Sequence, residues 1–265
     1  MVGKSQPARG GVQAADTVLT VLETVAYAEE PIGVTQVANT VGIAKSAAFR
    51  HLRTLLDRGY LDQDPVTSRF RLGSKVFLLG RLAPPGHDLA TTIQPAMREA
   101  RDACGLSVVV STPTPHGAFV LATIPGTQAI DIGVRVGSSL ALHASAQGKV
   151  FLAFGPKSML DRVLKSPRPS FTPHTITGAA ELTAEIEHVR AQGYAVAPED
   201  TLLGVNALAA PVLDPQGAVV ASVALVGSIQ HIAREPDARL IGIVLNLAHR
   251  ASRLIGGSNG RRGAL

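Results

Sequence analysis

The chain has 265 residues, a formal net charge of +5 and a pI near 9.7, with 46% hydrophobic and 17% charged residues. This content supports one large or two modest folded domains and excludes an intrinsically disordered chain. Cys104 is the single cysteine, which rules out an intramolecular disulfide; with no Trp and 4% aromatics, base stacking on aromatic platforms is disfavoured.

The opening "MVGKSQPARGG" has no apolar h-region, and no charge-free apolar run reaches 18 residues, so neither a signal peptide nor a membrane span is expected. Residues 1–11, rich in Gly, Pro, Ser and Lys, read as a disordered tail. Apolar positions Val18, Leu19, Leu22, Val25 and Ala26 recur at helical steps, predicting a helix over 14–28 with Asp16 at its positive end. "EEPIG" breaks it. Thr35 is read as the cap of a short helix over 36–40; "VGI" is a turn in which Gly42 supplies positive φ. A third helix is predicted over 44–58, ended by Gly59.

The charge along this segment is uneven. From Gly10 to Ala44 there are four acids and no Lys or Arg, whereas Lys45–Arg58 holds four bases and one acid, Asp57. Two helices joined by "VGI" make a helix-turn-helix. On the second, Ala48, Leu52, Leu55 and Leu56 share one face and suit a core. Ser46, Arg50, Arg53 and Asp57 share another. Arginine there suits a guanine edge or a phosphate, and Lys45 and Ser46 at the helix start suit phosphate or base contacts. The alternation in "YLDQDPVTSRFRLG" predicts a hairpin whose Arg69 and Arg71 would clamp the DNA backbone as a wing. A further helix is predicted over 73–82, followed by the breaker cluster "APPGHD", the strongest domain boundary.

Beyond it, helices are predicted over 90–104, 144–154, 157–165, 182–192 and 237–254. Strands are predicted at "LSVVVST", "GAFVLATI", "AIDIGVRVG" and on either side of "DPQG". Mixed helices and tight hairpins indicate an α+β domain on an antiparallel sheet.

Enzyme signatures fail. "HASAQGKV" has His143 where a phosphate loop needs Gly, and Val150 where it needs Ser or Thr. No nucleophile elbow exists, and the eight histidines lack metal-ligand spacing. His116 and His174 read as exposed loop residues and Cys104 as a small buried residue. The chain is therefore read as not an enzyme, with no cofactor and no metal.

The stretch from "VQAADTVLTVLETVA" to "DQDPVTSRFRLG", with "LALHASAQGKVFLA", "LTAEIEHVRAQGYAVAPEDTLLGVNALAAPV" and "ASVALVGS", resembles the IclR family of bacterial transcription regulators over residues 12 to about 250. The resemblance implies a winged helix-turn-helix at 12–72, a linker helix at 73–83 and a GAF-like α+β effector-binding domain at 84–255, with a flexible tail at 256–265. It implies DNA contacts from Thr35, Gln36, Lys45, Ser46, Ala47, Arg50, Arg53, Arg69 and Arg71. Relatives usually carry Thr at Ala47 and Leu at His51, so His51 either reaches DNA or sits at the helix edge. It further implies an effector pocket with His143, Ala144, Ser145 and Gly148 on one side and Asn206, Ala207, Ala224 and Val226 on the other; the alternative is that these small residues simply allow close helix–sheet packing.

Relatives that bind small oxo-acids carry polar groups at positions aligned with Ala197, Ala207, Ala224 and Val226. An apolar lining disfavours a bare carboxylate, so the expected effector is larger, aromatic or alicyclic. Glu199 and Asp200 either hydrogen-bond a ligand hydroxyl or hold the loop before Gly204. The whole reads as a cytoplasmic, ligand-responsive regulator, more in the manner of a repressor, binding a pseudo-palindromic double-stranded operator as a homodimer or dimer of dimers. The alternative is a small-molecule-binding protein or enzyme whose N-terminal helices only dimerise.

Overall fold

The computed structural model describes residues 12–28, 30–82, 89–115, 117–129 and 131–259. The expected tail at 1–11, the breaker cluster, His116 and the last six residues lie outside them. The chain divides into two compact units, Met1–His87 and Asp88–Leu265.

In the first unit, α1 (Gln13–Ala26) buries Val21 and Val25. The next helix, α2 (Val34–Val41), starts earlier than the sequence suggests, and Thr35 is not its cap. Gly33 holds that position, and its N–H donates to Gln36 Oε1 at 3.2 Å. The Oε1 acceptor of Gln36 is therefore occupied by its own helix start, which leaves its side-chain NH2 as a donor. Gly42 closes α2 at φ +76°, a left-handed conformation in which a Cβ is strained. On α3 (Lys45–Asp57), Ala48, Leu52 and Leu55 are buried. They meet Val21, Val25, Val37, Leu61 and Phe70 in one core, against which Leu56 is partly buried.

Antiparallel β1 (Leu61–Gln63) and β2 (Phe70–Leu72) form the hairpin. Asp64 Oδ1 sets its turn by accepting from the N–H groups of Val66 and Thr67. Phe70 exchanges backbone hydrogen bonds with Ile32, tying the hairpin to the segment that enters α2. After Gly73 alone, α4 (Ser74–Leu82) follows β2 and leaves Leu78, Leu79 and Leu82 exposed.

The second unit is a six-stranded antiparallel sheet in the order β5-β4-β3-β8-β7-β6. Its strands are β3 (Ser107–Pro113), β4 (Ala118–Ile124), β5 (Ser139–Leu140), β6 (Ala195–Val196), β7 (Val205–Leu213) and β8 (Val219–Ser228). Strand alternation sends side chains to two cores. On one face Val108, Val110, Leu208, Val223 and Leu225 meet α5 (Leu89–Cys104) and α9 (Ala238–Asn259). On the other, Val109, Val120, Ala209, Ala224 and Val226 meet α6 (Ala146–Phe154) and α8 (Ala179–Gln192). The short α7 (Lys157–Lys165) follows α6.

Two expectations change. The segment "AIDIGVRVG" is not a strand: Ile130 lies outside the described residues, and 131–135 have no regular structure. Side-chain anchors hold it instead. Ser107 Oγ donates to the Asp131 carboxylate, and Thr123 Oγ1 donates to the Val134 carbonyl at 2.6 Å. Ile132 and Val134 pack on the α6 core without joining the ladder. The strand on the outer side of β4 is instead the two-residue β5. The terminal helix also runs past Leu254, to Asn259. Cys104 is half-buried; its thiol donates to the Ala100 carbonyl, and burial pushes its pKa up, which leaves it a poor nucleophile.

Candidate functional site

Two places gather the residues singled out by sequence. The first is the outward side of α3. Lys45, Ser46, Arg50 and Arg53 are exposed, while Ala47 and His51 are half-buried at the flank. The rotation that buries Ala48, Leu52 and Leu55 necessarily turns Ser46, Arg50 and Arg53 outward. Among the described residues neither Lys45 nor Arg50 has an ion-pair partner, so both charges remain available to an anion. Arg53 is engaged: its Nε lies 3.0 Å from Asp57 Oδ1, one turn on. Thr35 sits exposed in the first turn of α2.

The hairpin arginines differ from one another. Arg69 Nη1 donates to the Pro31 carbonyl at 3.1 Å, so it helps hold the hairpin against the α2 entry. Arg71 is exposed on β2, opposite Asp62 on β1.

The second place is the start of α6 and the sheet face beneath it. His143, Ala144 and Ser145 are buried. His143 Nε2–H donates to the Pro169 carbonyl at 3.0 Å, and its ring stacks on Phe171 with centroids 5.9 Å apart. A carbonyl only accepts, which assigns the proton to Nε2 and leaves Nδ1 as the acceptor. Burial lowers the ring's pKa, favouring the neutral form; the Pro169 carbonyl opposes this and nearby Arg168 assists it. Ser145 caps α6: its Oγ accepts from Gly148 N–H at 3.1 Å and donates to the Ala141 carbonyl at 2.7 Å. Its hydroxyl proton is thus already committed.

Gly148 allows the turn at 141–142 to lie against the helix. A Cβ there would stand 2.5 Å from both Cα and the carbonyl oxygen of Leu142. Gly148→Ala is expected to lower stability by about 1–3 kcal/mol through overpacking, read as a lower urea midpoint for the full chain. An unchanged midpoint would contradict this packing.

Ala207, Ala224 and Val226 line the α6 side of the sheet, with Ala197 in the same core. Asn206 does not join them. Being one residue from Ala207 on β7, it faces the α9 side, where its Nδ2 donates to the carbonyls of Ile232 and Ala233. Its Oδ1 accepts from Ala207 N–H, so its side chain is spent on the fold.

The most consequential group here lies within the failed phosphate-loop segment "HASAQGKV". Lys149 is 1% exposed. Its Nζ lies 2.8 Å from Asp200 Oδ2 and 3.1 Å from Glu185 Oε1, and donates to the Val196 carbonyl at 2.9 Å. The contact with Asp200 Oδ2 is a close charge pair off the hydrogen-bonding direction. Burial raises the Asp200 carboxyl above its ordinary value, against the pull of the Lys149 ammonium. Lys149 thereby ties α6 to α8, β6 and the 197–204 loop.

Glu199 also serves that loop. At φ +62°, it accepts from Gly204 N–H at 2.9 Å and pairs with Arg234, and these partners hold its carboxyl below the usual range. Three further polar groups interrupt the apolar core: Ser111 Oγ, Ser222 Oγ and Gln147 Nε2 are buried without a hydrogen-bond partner among the described residues. Ser111 and Ser222 are register partners on β3 and β8. Both share the alternation of Val109 and Ala224, and so face α6.

A winged helix-turn-helix whose outer face leaves Lys45 and Arg50 unpaired among the described residues, followed by a separate sheet domain, is the architecture of a DNA-binding regulator. Comparison with known proteins agrees. Residues 14–65 match the IclR helix-turn-helix domain, and residues 84–253 match the bacterial transcriptional regulator IclR C-terminal domain. The glycerol operon regulatory protein of Streptomyces griseus is 28% identical over 247 residues, covering 92% of this chain and 97% of that protein. The transcriptional repressor IclR of Escherichia coli is 24% identical, covering 95% of this chain and 93% of its own length. An IclR homologue from Microbacterium hydrocarbonoxydans, solved with 4-hydroxybenzoate, aligns at a TM-score of 0.77 and 20% identity, over 92% of this chain and 99% of that one.

The chain belongs to the IclR family of bacterial transcriptional regulators. Its C-terminal sheet domain is the family's GAF-like effector-binding domain, and its relatives are regulators rather than enzymes. Among the described residues no helix is long and apolar enough to cross a membrane.

Proposed function

We propose that this chain controls transcription from the cytoplasm by binding a pseudo-palindromic operator as a homodimer or dimer of dimers, in the manner of a repressor, and that a largely apolar organic effector alters that binding. The single observation that carries the DNA half is the outward face of α3, where Lys45 and Arg50 are exposed and uncompensated. Ser46, Ala47, Arg53, Arg71 and the α2 start at Thr35 and Gln36 complete the proposed contact surface. Arg69 contributes through the hairpin it holds. The exposed leucines of α4 suit packing against a second copy, which would present two reading helices to two half-sites.

The effector half places a ligand between the α6 start, with His143 Nδ1, and the face made by Ala207, Ala224 and Val226. Buried Ser111 and Ser222 hydroxyls on that face would meet a hydroxyl or carbonyl at one end of an otherwise apolar molecule. An aromatic or alicyclic body gains about 25 cal/mol per Å² of apolar surface buried there. That the Microbacterium homologue is complexed with an aromatic compound supports the class. In a thermal-shift screen, hydroxylated aromatic or alicyclic compounds should raise the melting temperature and change operator affinity, and pyruvate and glyoxylate should do neither. Ala207→Asp should abolish the response by burying an unpaired charge, with operator binding retained. Tight glyoxylate binding with no aromatic response would overturn this assignment.

A further inference from the structure

The reading helix carries one feature that its charges do not explain. Phe49 is 53% exposed, alone among the large apolar side chains described on α3. It takes no part in the core formed by Ala48, Leu52 and Leu55. Lys45 precedes it by four residues and Arg53 follows it by four, so the three stand on one ridge of the helix. That ridge borders the face of Ser46 and Arg50.

We propose that Phe49 reads the C5 methyl group of a thymine in each operator half-site, making it a determinant of sequence preference beside the arginines. The inference rests on the operator-binding reading above. An apolar ring with a cation one turn away on either side has no use for a phosphate, which the cations suit. In the major groove of a duplex the thymine methyl is the apolar group that a protein side chain meets. The same flanking charges disfavour a second copy of this chain as the occupant. A two-fold contact would set each Lys45–Phe49–Arg53 ridge against its own copy, bringing each Lys45 toward the other copy's Arg53, a repulsion that the Asp57 partner of Arg53 offsets only in part. DNA suits all three side chains at once: Lys45 takes a phosphate or guanine edge, Arg53 can do so with the guanidinium N–H groups its Nε contact with Asp57 leaves free, and the ring takes a methyl. Phe49 thus supplies what charge alone lacks, a preference between A·T and other pairs at one position.

The test uses the full chain and an operator selected from randomised duplexes. Each thymine of one half-site is replaced in turn by deoxyuridine, which removes only the C5 methyl, and affinity is read by fluorescence anisotropy. One position is expected at which uracil weakens the wild type about fourfold, the effect of one buried methyl-sized group. At that position Phe49→Ala should bind the thymine and uracil operators equally, and Phe49→Gln should behave the same. Because the methyl is removed from the DNA, the wild-type measurement requires no altered protein. Uracil tolerated at every position, a half-site selected without any fixed A·T pair, or a uracil effect that persists undiminished in both variants would each overturn the proposal. In all three cases selection of a defined operator would leave the operator-binding reading standing. Equal binding to every duplex would instead overturn that reading, and the Phe49 assignment with it.

Discussion

Lys149→Met is expected to destabilise the sheet domain by about 3–5 kcal/mol, the cost of leaving a buried carboxylate without its counter-charge. Asp200 is 3% exposed and its Oδ2 lies 2.8 Å from Lys149 Nζ. Glu185 is the less affected partner, being nearer the surface. The pH dependence has a definite sign. Burial already raises the folded-state carboxyl of Asp200, and removing the ammonium raises it further. A group whose folded value lies above its unfolded value contributes its stability when protonated, and loses that contribution as pH rises through the folded value. The deficit of the variant should therefore be larger at pH 8 than at pH 5. Adding Asp200→Asn should recover part of it at pH 8 and little at pH 5. Urea unfolding of the full-length protein reads these differences. A deficit under about 1 kcal/mol, or one that grows on acidification, would show that the buried pair is not what holds α6 to the 197–204 loop.

Arg50→Ala should lower operator affinity by about 5- to 150-fold, corresponding to about 1–3 kcal/mol, while the melting temperature stays within about a degree. Its side chain is exposed, lies outside the core of Ala48, Leu52 and Leu55, and has no ion-pair partner among the described residues. Arg53→Ala should cost less, because Asp57 at 3.0 Å already offsets its charge. Anisotropy titrations on the selected operator, with a scrambled duplex as control, separate the two. Normal operator affinity in Arg50→Ala would remove α3 from the groove.

The helices were readable in the sequence because their apolar spacing is the same quantity that packing uses. Ala48, Leu52 and Leu55 fall inward both on a helical projection and in the folded core. Helix starts were less readable. Thr35 is a better capping residue than glycine, yet Gly33 holds the cap because Gln36 reaches back to its N–H. The segment at 131–137 alternates like a strand, but alternation records which side chains are buried and not whether the backbone finds a neighbour. Ser107 holds the Asp131 carboxylate and Thr123 the Val134 carbonyl in place of a ladder, and the backbone reaches β4 at Gly137, whose N–H donates to the Val120 carbonyl.

At the proposed effector site the family motifs point to His143, Ser145, Gly148, Ala207, Ala224 and Val226, which the fold gathers on the α6 side of the sheet, but the resemblance could not give the side-chain direction of Asn206. Strand parity could have done so, since adjacent residues of a strand face opposite ways. Lys149 was also signalled, as a lone cation in the apolar run "VFLAF" and its approach. Finding its partners required the tertiary fold, because Glu185 and Asp200 lie 36 and 51 positions away (185 − 149 and 200 − 149).

The division of labour along α3 bears on how such a protein diversifies. The residues that keep the helix folded and those that face outward share no member, and Lys45, Ser46, Phe49, Arg50 and Arg53 can change identity without opening a cavity. Exposed substitutions of this kind usually alter stability by no more than about 0.5 kcal/mol. On the proposed reading of α3, a duplicated gene is free to explore new operators one substitution at a time, each intermediate remaining a folded protein. The sheet domain has no such latitude around α6, where every residue from Ala146 to Ala153 is buried. New DNA targets should arise in this lineage more readily than new architectures of the sensor, and the two halves can evolve at different speeds within one chain.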